Sequence, residues 1–193
     1  MIPASKPPPT WQEALDRFAT TGDLEASGVL ENRLRMPDGI EAKAFHFWHG
    51  RRGRTRLDDD AGPIFMRSTD SGFVRQNDGQ MARFDGLLAW NPNPSDYFGG
   101  DPRQFGREDE FAGVLGTPEL VDVHGRSGWM FTLAPFPGRP EEHALQVTFD
   151  VDTGILLRRA RVGSPSRTQI IELHFHAELP KEVFTWSGPI ASQ

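Results

Sequence analysis

Three side chains that could bind a metal ion alternate near the C-terminal end of the chain: Glu172, His174 and His176. In an extended strand every second side chain lies on the same face, so these three could hold a zinc ion and leave a fourth position open. Apolar residues occupy the alternate positions and predict a buried face opposite. No His-Glu-x-x-His or other spaced metal motif accompanies them. We therefore interpret the three as the solvent side of a strand, and a metal-dependent enzyme is the least favoured function.

Other residues of catalytic type lack the spacing that their chemistry needs. The chain contains no Cys, which excludes disulfides, thiolate zinc sites and Cys nucleophiles. Ser127 does not lie in a Gly-x-Ser-x-Gly elbow, and the acidic run 58–60 lacks the glycine and distal Glu of a calcium loop. No phosphate-binding loop or dinucleotide fingerprint is present. We predict that the protein is not an enzyme and needs no cofactor.

The charge balance argues against nucleic acid as a partner. Lys and Arg number 21, Asp and Glu 27, and the formal net charge is -6, whereas nucleic-acid-binding proteins usually present a basic surface. Basic residues cluster twice, at positions 51–56 and at positions 158–161. We interpret both clusters as solvated strand and turn faces, with a phosphate site as the alternative.

A short helix is predicted directly after a proline-rich tail. Residues 1–9 read as a flexible tail, and Thr10 with Glu13 has the spacing of a capping box. Trp11 and Phe18 lie seven positions apart on one apolar stripe, and Gly22 ends the helix. Such a stripe must be buried, and a sheet is the only large surface that the rest of the sequence offers.

Most of the remaining chain alternates between apolar and polar residues, which predicts ten to eleven strands. Asn77-Asp78-Gly79 between two short strands is a strong hairpin signal, and residues 145–151 form the clearest half-buried strand. Glycines and prolines crowd residues 91–106, which predicts a loop. A second helix is expected between Pro102 and Leu115, with Gly116 at its end.

Four segments follow one another in the second half of the chain: WMFTLAP at 129–135, LQVTFDVDTGILLRR at 145–159, QIIELHF at 169–175 and LPKEVFTW at 179–186. This ordered set resembles the ending of the LolA-like superfamily of lipoprotein carriers, which includes the N-terminal domain of RseB regulators. The resemblance implies a mainly β (α+β) fold, in which a strongly curved antiparallel sheet forms an unclosed half-barrel and about two helices cover its concave face. Residues 10–193 would form one such domain.

We expect a non-catalytic protein that holds a lipid or acyl chain between sheet and helices. The alternative is a protein-interaction or regulatory module on the same scaffold. The sequence contains no run of 18 apolar residues that could span a membrane, and its N-terminus lacks the apolar core of a signal peptide. The cytoplasm is therefore expected, unless the chain is a trimmed form of an exported protein. The predicted apolar ligand-binding residues are Trp11, Phe18, Phe45, Phe47, Phe131, Phe149, Leu173 and Phe175.

Overall fold

The computed structural model describes residues 7–69, 71–84, 92–99, 105, 111–135 and 144–191. One α-helix, α1, covers Trp11–Ala19 and continues into a 3-10 turn at Thr20–Asp23. Further 3-10 turns lie at Arg51–Gly53, Pro94–Tyr97 and Lys181–Phe184. The eleven strands are β1 (Glu25–Met36), β2 (Gly39–Gly50), β3 (Arg54–Asp59), β4 (Gly62–Arg67), β5 (Gly72–Arg75), β6 (Met81–Phe84), β7 (Phe111–Val123), β8 (Arg126–Pro135), β9 (Leu145–Asp150), β10 (Leu156–Arg161) and β11 (Arg167–His176).

All eleven strands belong to one antiparallel sheet in the order β6-β5-β4-β3-β2-β1-β11-β10-β9-β8-β7. The chain runs outward from β1 to one edge at β6, restarts at the opposite edge with β7, and returns to β11. Strand β11 then pairs with β1, for example through Gly28 opposite Leu173. Strands β6 and β7 stay at opposite edges, so the sheet is unclosed. The mainly β, unclosed antiparallel sheet expected from the sequence is confirmed.

The predicted hairpins form because their turn residues tolerate the left-handed backbone conformation. Gly79 has φ +83° between β5 and β6, and Gly154 has φ +83° between β9 and β10. A residue with a Cβ is strained at such angles, whereas glycine is not. The two turns therefore fix the register of the strands that they join.

The prediction of about two helices is wrong for the part of the chain that the structure describes, where α1 is the one α-helix. Residues 102–104 and 106–110 of the second predicted helix lie outside the described residues. Of its other residues, Phe105 is buried in the core and 111–115 are the start of strand β7, where Leu115 pairs with Thr132 of β8. Gly116 has φ +67° at an irregularity in this strand rather than at the end of a helix. A glycine with positive φ occurs both at helix ends and at strand irregularities, so the sequence signal at this position is ambiguous.

The C-terminal segment lies on the face of the sheet opposite α1. Arg56 and Trp48 are cross-strand partners on that face, and Arg56 donates a hydrogen bond of 3.3 Å to the carbonyl of Val183. The segment ends at the sheet edge, where Ile190 forms a parallel bridge with Met81 of β6. Within the described ranges, no helix has the length and apolar character needed to cross a membrane.

Candidate binding site on the concave face

Helix α1 begins at a complete capping box. The backbone N–H of Thr10 donates to Glu13 Oε2 at 2.7 Å, and the N–H of Glu13 donates to Thr10 Oγ1 at 3.2 Å. These hydrogen bonds hold the pKa of the Glu13 carboxyl below its ordinary value. A nine-residue helix is marginal on its own, so the cap and the packing of its apolar face must together stabilise it.

The concave face beneath α1 is built from cross-strand pairs of apolar residues. Phe47 of β2 lies opposite Gly28 of β1 on one side and Leu57 of β3 on the other. Phe45 lies opposite Leu30. Paired residues project to the same face, so these side chains form one continuous wall. All four side chains are buried.

The helix packs on the other half of the sheet through direct ring contacts. Trp11 lies 5.2 Å from Phe131 and 5.9 Å from Phe149, measured between ring centroids. Phe18 lies 5.5 Å from Phe149, and Phe105 contacts both Trp11 and Phe18. Edge-on aromatic pairs at such distances add to the stabilisation that burial alone provides. The helix and the sheet therefore fill the space between them here.

Five of the eight predicted ligand-binding residues belong to the buried apolar cluster: Phe18, Phe45, Phe47, Phe131 and Phe149. Trp11 and Leu173 are partly buried against it, and Leu173 also lines a separate cleft of about 230 Å³ beside the turn between β7 and β8. Phe175 is 41% exposed, and the guanidinium of Arg126 lies over its ring. As ligand-binding residues, all eight stay predictions.

His49 joins the helix to the concave face. Its ring stacks on Phe98 with 4.4 Å between centroids, and its Nε2 lies 3.3 Å from the carbonyl oxygen of Gly22 at the end of the turn after α1. The Nδ1 atom is buried without a hydrogen-bond partner. Burial lowers the pKa of His49 from 6.5 to about 4, because a charged imidazolium would lose its hydration there. The ring is therefore neutral at pH 7.

An open cleft of about 520 Å³ lies at one end of the concave face. We call it the end cleft; its lining comes from 32–34 of β1, residues 93, 96 and 97, Leu145 of β9, Leu156 and 159–161 of β10, the turn residues Ser164 and Ser166, and 167–168 of β11. Its volume is in the range of ordinary small-molecule sites. Apolar and polar side chains both contribute to the lining.

Two residues of the 3-10 turn at Pro94–Tyr97 give the end cleft unusual titration properties. Burial raises the pKa of the Asp96 carboxyl to about 6, although the positive charge of Arg159 opposes the shift. Burial also raises the pKa of Tyr97, whose hydroxyl hydrogen-bonds to Thr168. Thr168 donates in turn to Asn32 Oδ1 at 3.0 Å. A partly buried carboxyl with a shifted pKa in a cleft is a common mark of a functional site.

The candidate metal ligands do not form a site. Glu172, His174 and His176 are exposed, and His176 Nε2 lies 2.7 Å from Ser27 Oγ. Among the described residues, no group of three or more His, Cys, Asp or Glu side chains is arranged to hold a metal ion.

Sequence reasoning missed the end cleft. Asp96 and Tyr97 lie in a stretch that the sequence marks only as a loop, and their burial depends on packing against distant strands. Arg159 and Arg161 carried a usable signal, because residues two apart on a strand project to the same face. That signal was present in the basic cluster at 158–161, which we interpreted as a solvated surface.

Solved structures with a related fold include MucB. The complex of Pseudomonas aeruginosa MucA and MucB matches at a TM-score of 0.59, with 17% identity over 91% of this chain and 60% of that chain. A crystal structure of MucB alone matches at 0.54, with 17% identity over 91% and 62%. A LolA superfamily protein from Nitrosomonas europaea matches at 0.39, with 10% identity over 92% and 98%. No family model matches the sequence, and no curated protein matches it.

The MucB comparisons show that the chain shares the fold of the matched part of MucB, which confirms the RseB-like fold implied by the sequence resemblance. The chain spans about 60% of the length of the MucB chains that it matches. At 17% identity the likeness concerns the fold.

Proposed function

We propose that the chain is a non-catalytic binding protein that holds a hydrophobic ligand, a lipid or acyl chain, between the concave face and α1. The observation that supports this proposal is the aromatic face of the sheet and the small helix that covers it. Helix α1 has nine residues, of which Ala14 and Phe18 are buried. A helix this short is held by its packing partners, so an apolar ligand that displaces it from the sheet must supply equivalent apolar contacts. Each methylene buried contributes about 0.8 kcal/mol.

Ligand entry in this proposal requires α1 to move away from β8 and β9. Arg17 holds the helix at the β9–β10 turn through hydrogen bonds of 2.9 and 3.0 Å to the carbonyls of Val151 and Asp152. Arg17→Ala removes both hydrogen bonds and leaves the apolar face of α1 unchanged. The variant therefore loosens this end of the helix without altering the residues that would contact a ligand.

The test uses Arg17→Ala and a fluorescent fatty acid as the probe. We expect the variant to take up the probe several-fold faster than the wild type, because α1 is no longer held at the β9–β10 turn. Gln12→Ala, on the exposed side of the same helix, is the control and should not change the rate. An unchanged rate in Arg17→Ala, or no binding by the unmodified chain and no lipid in native mass spectra of the purified protein, would contradict the proposal.

The second candidate is a protein-interaction module, and the edge strand β7 favours it. This strand is 13 residues long, and its Leu115 and Leu120 side chains are 52% and 56% exposed. An extended segment of another protein can add to such an edge. MucB, whose fold the chain shares, was solved in complex with MucA. A partner that remains bound after lipid extraction and is lost in Leu115→Lys, Leu120→Lys would favour this function. The single domain over 10–193 and the cytoplasmic location stay predictions.

A further inference from the structure

Two arginines of β10 have no ion-pair partner at close range among the described residues. Arg159 and Arg161 lie two residues apart, opposite Val147 and Leu145 of β9, so both project from one face of the strand. Both line the end cleft and both are exposed. No carboxylate of a described residue lies within 4.0 Å of either guanidinium. The whole protein is acidic, with a formal net charge of -6, so this concentration of positive charge runs against its general composition.

The other basic cluster of the sequence has a different environment. Arg54 donates to the buried carboxylate of Glu25 at 3.0 Å. Arg56 donates to both oxygens of Asp58, at 2.7 and 2.6 Å, and its guanidinium lies over the ring of Trp48. These arginines already have their carboxylate partners, so they have little capacity left for an external anion.

More hydrogen-bond donors surround Arg159 and Arg161. Ser166 Oγ accepts a hydrogen bond from the backbone N–H of Arg35, and Ser164 Oγ accepts one from the N–H of Ser166. Each hydroxyl therefore keeps its own O–H available for donation. Both serines line the end cleft.

Two further arginines line the end cleft but project from the opposite face of the sheet. Arg33 and Arg167 are cross-strand partners, and Arg167 lies opposite Ala160 rather than Arg159. Both approach one carboxylate: Glu31 accepts from Arg33 at 3.0 Å and lies 3.8 Å from Arg167. They are therefore not partners for an anion on the side of Arg159.

We propose that the end cleft binds an oxyanion group, a phosphate or a carboxylate, with Arg159 and Arg161 as its principal partners and the hydroxyls of Ser164 and Ser166 as additional donors. Planar guanidinium groups bind both kinds of anion through paired hydrogen bonds. Apolar residues adjoin the same cleft, including Leu145 and Leu156. The anion can therefore be free in solution or the charged group of an amphiphile. This site does not depend on a ligand beneath α1.

Asp96 acts against the bound anion. Its carboxylate interacts electrostatically with Arg159, and it is the one acidic side chain among the described residues that line the cleft. Neutralising it removes the repulsion of the anion and the competing attraction of Arg159. Asp96→Asn is therefore expected to bind the anion several-fold more tightly at pH 7.5, a change opposite to that of the arginine variants.

The experiment is a titration of the full chain with inorganic phosphate at constant ionic strength. The chemical shifts of the backbone amides, recorded by NMR at each step, report binding. We expect saturable shifts centred on residues 164–168. Arg159→Gln and Arg161→Gln should each weaken binding about tenfold, the usual effect of losing a charge-assisted hydrogen bond. Lys181→Ala removes one exposed positive charge far from the cleft lining and should change nothing. Arg159→Lys, which keeps the charge but loses the paired N–H donors of the guanidinium, should give an intermediate affinity.

A second arm uses decyl phosphate to distinguish the sources of the anion. If decyl phosphate binds more tightly than phosphate and both need the arginines, the cleft takes the head group of an amphiphile. Equal affinities that need the arginines indicate a free anion. Decyl phosphate that binds equally to the wild type and both arginine variants would overturn the oxyanion site while leaving the proposed apolar cradle intact. The absence of saturable shifts at 164–168 with either probe would also overturn it.

Discussion

The indole of Trp11 meets the ring of Phe131 edge-on, with 5.2 Å between centroids and 62° between the ring planes. This contact joins the first turn of α1 to the centre of β8. Because α1 has only nine residues, each such contact carries a large share of the packing that holds the helix.

Replacing Trp11 with Ala should lower the free energy of unfolding by about 2–3 kcal/mol, less than a fully buried Trp because the side chain is only half-buried. Urea denaturation measures the change. Trp11→Phe should lose less, since it keeps an aromatic ring against Phe131. Gln12→Ala, on the exposed side of the same turn, is the control and should change stability by about 0.5 kcal/mol at most. Equal losses in the Ala variants at 11 and 12 would refute the packing role.

Replacing Gly28 with Ala should destabilise the fold by about 3 kcal/mol, the upper range for overpacking a well-packed site. A Cβ at this position of β1 would overlap the carbonyl oxygen of Glu172 and approach Phe47 Cε1 to 3.0 Å. The first obstacle is backbone, so β1 and β11 would have to separate. Thermal unfolding measures the loss.

Gly22→Ala is the matched control for Gly28→Ala. A Cβ there would meet its nearest neighbours at 3.8–3.9 Å, which is ordinary contact, so stability should be nearly unchanged. If both alanine variants melted at the wild-type temperature, the close approach of β1 and β11 would be disproved.

His49 should make the protein less stable as the pH falls from about 6.5 to about 4. Its pKa in the folded protein is lowered from 6.5 to about 4, so the unfolded chain binds more protons over that interval. The contribution of the neutral ring to the free energy of unfolding is fully present above pH 6.5. It declines below that pH, by up to about 3 kcal/mol. Gly22 and Phe98 contact the ring, Glu25 and Arg54 act on it electrostatically, and none of these four residues is changed in a His49→Gln variant.

The measurement is the difference in unfolding free energy between wild type and His49→Gln at pH 7.5 and pH 4.5. Other titrating groups are common to both proteins and cancel in this difference. Wild type should lose more stability than the variant on acidification. Parallel pH profiles would show that the ring does not titrate in this way.

The strands could be predicted from the sequence because local patterns determine them. Alternation over Leu145–Asp150 and the turn at Asn77-Asp78-Gly79 each contain enough information within a few residues. The helix expected at 102–115 failed where Gly116 serves a strand irregularity instead of a helix end. The burial of Asp96 could not be predicted, because strands far away in the sequence create it.

Asp96 should destabilise the fold at neutral pH, so Asp96→Asn should be more stable than wild type there. Burial raises the pKa of this carboxyl from 3.8 to about 6, hence the folded protein holds the proton more tightly than the unfolded chain does. Protonation of this carboxyl stabilises the folded state. The effect is fully present below about pH 3.8 and is lost as the pH rises through 6.

At pH 7.5 the Asn variant should gain about 1–2 kcal/mol, a value reduced from the full pKa shift because the side chain is partly exposed. At pH 4.5 the gain should shrink towards zero, because the wild-type carboxyl is then protonated in the folded state. Urea denaturation of both proteins across this range measures the difference. Asp16→Asn, on the exposed face of α1, is the control and should show no such pH-dependent gain. A gain at Asp96 that is equal at both pH values would mean that the carboxyl does not take up a proton on folding.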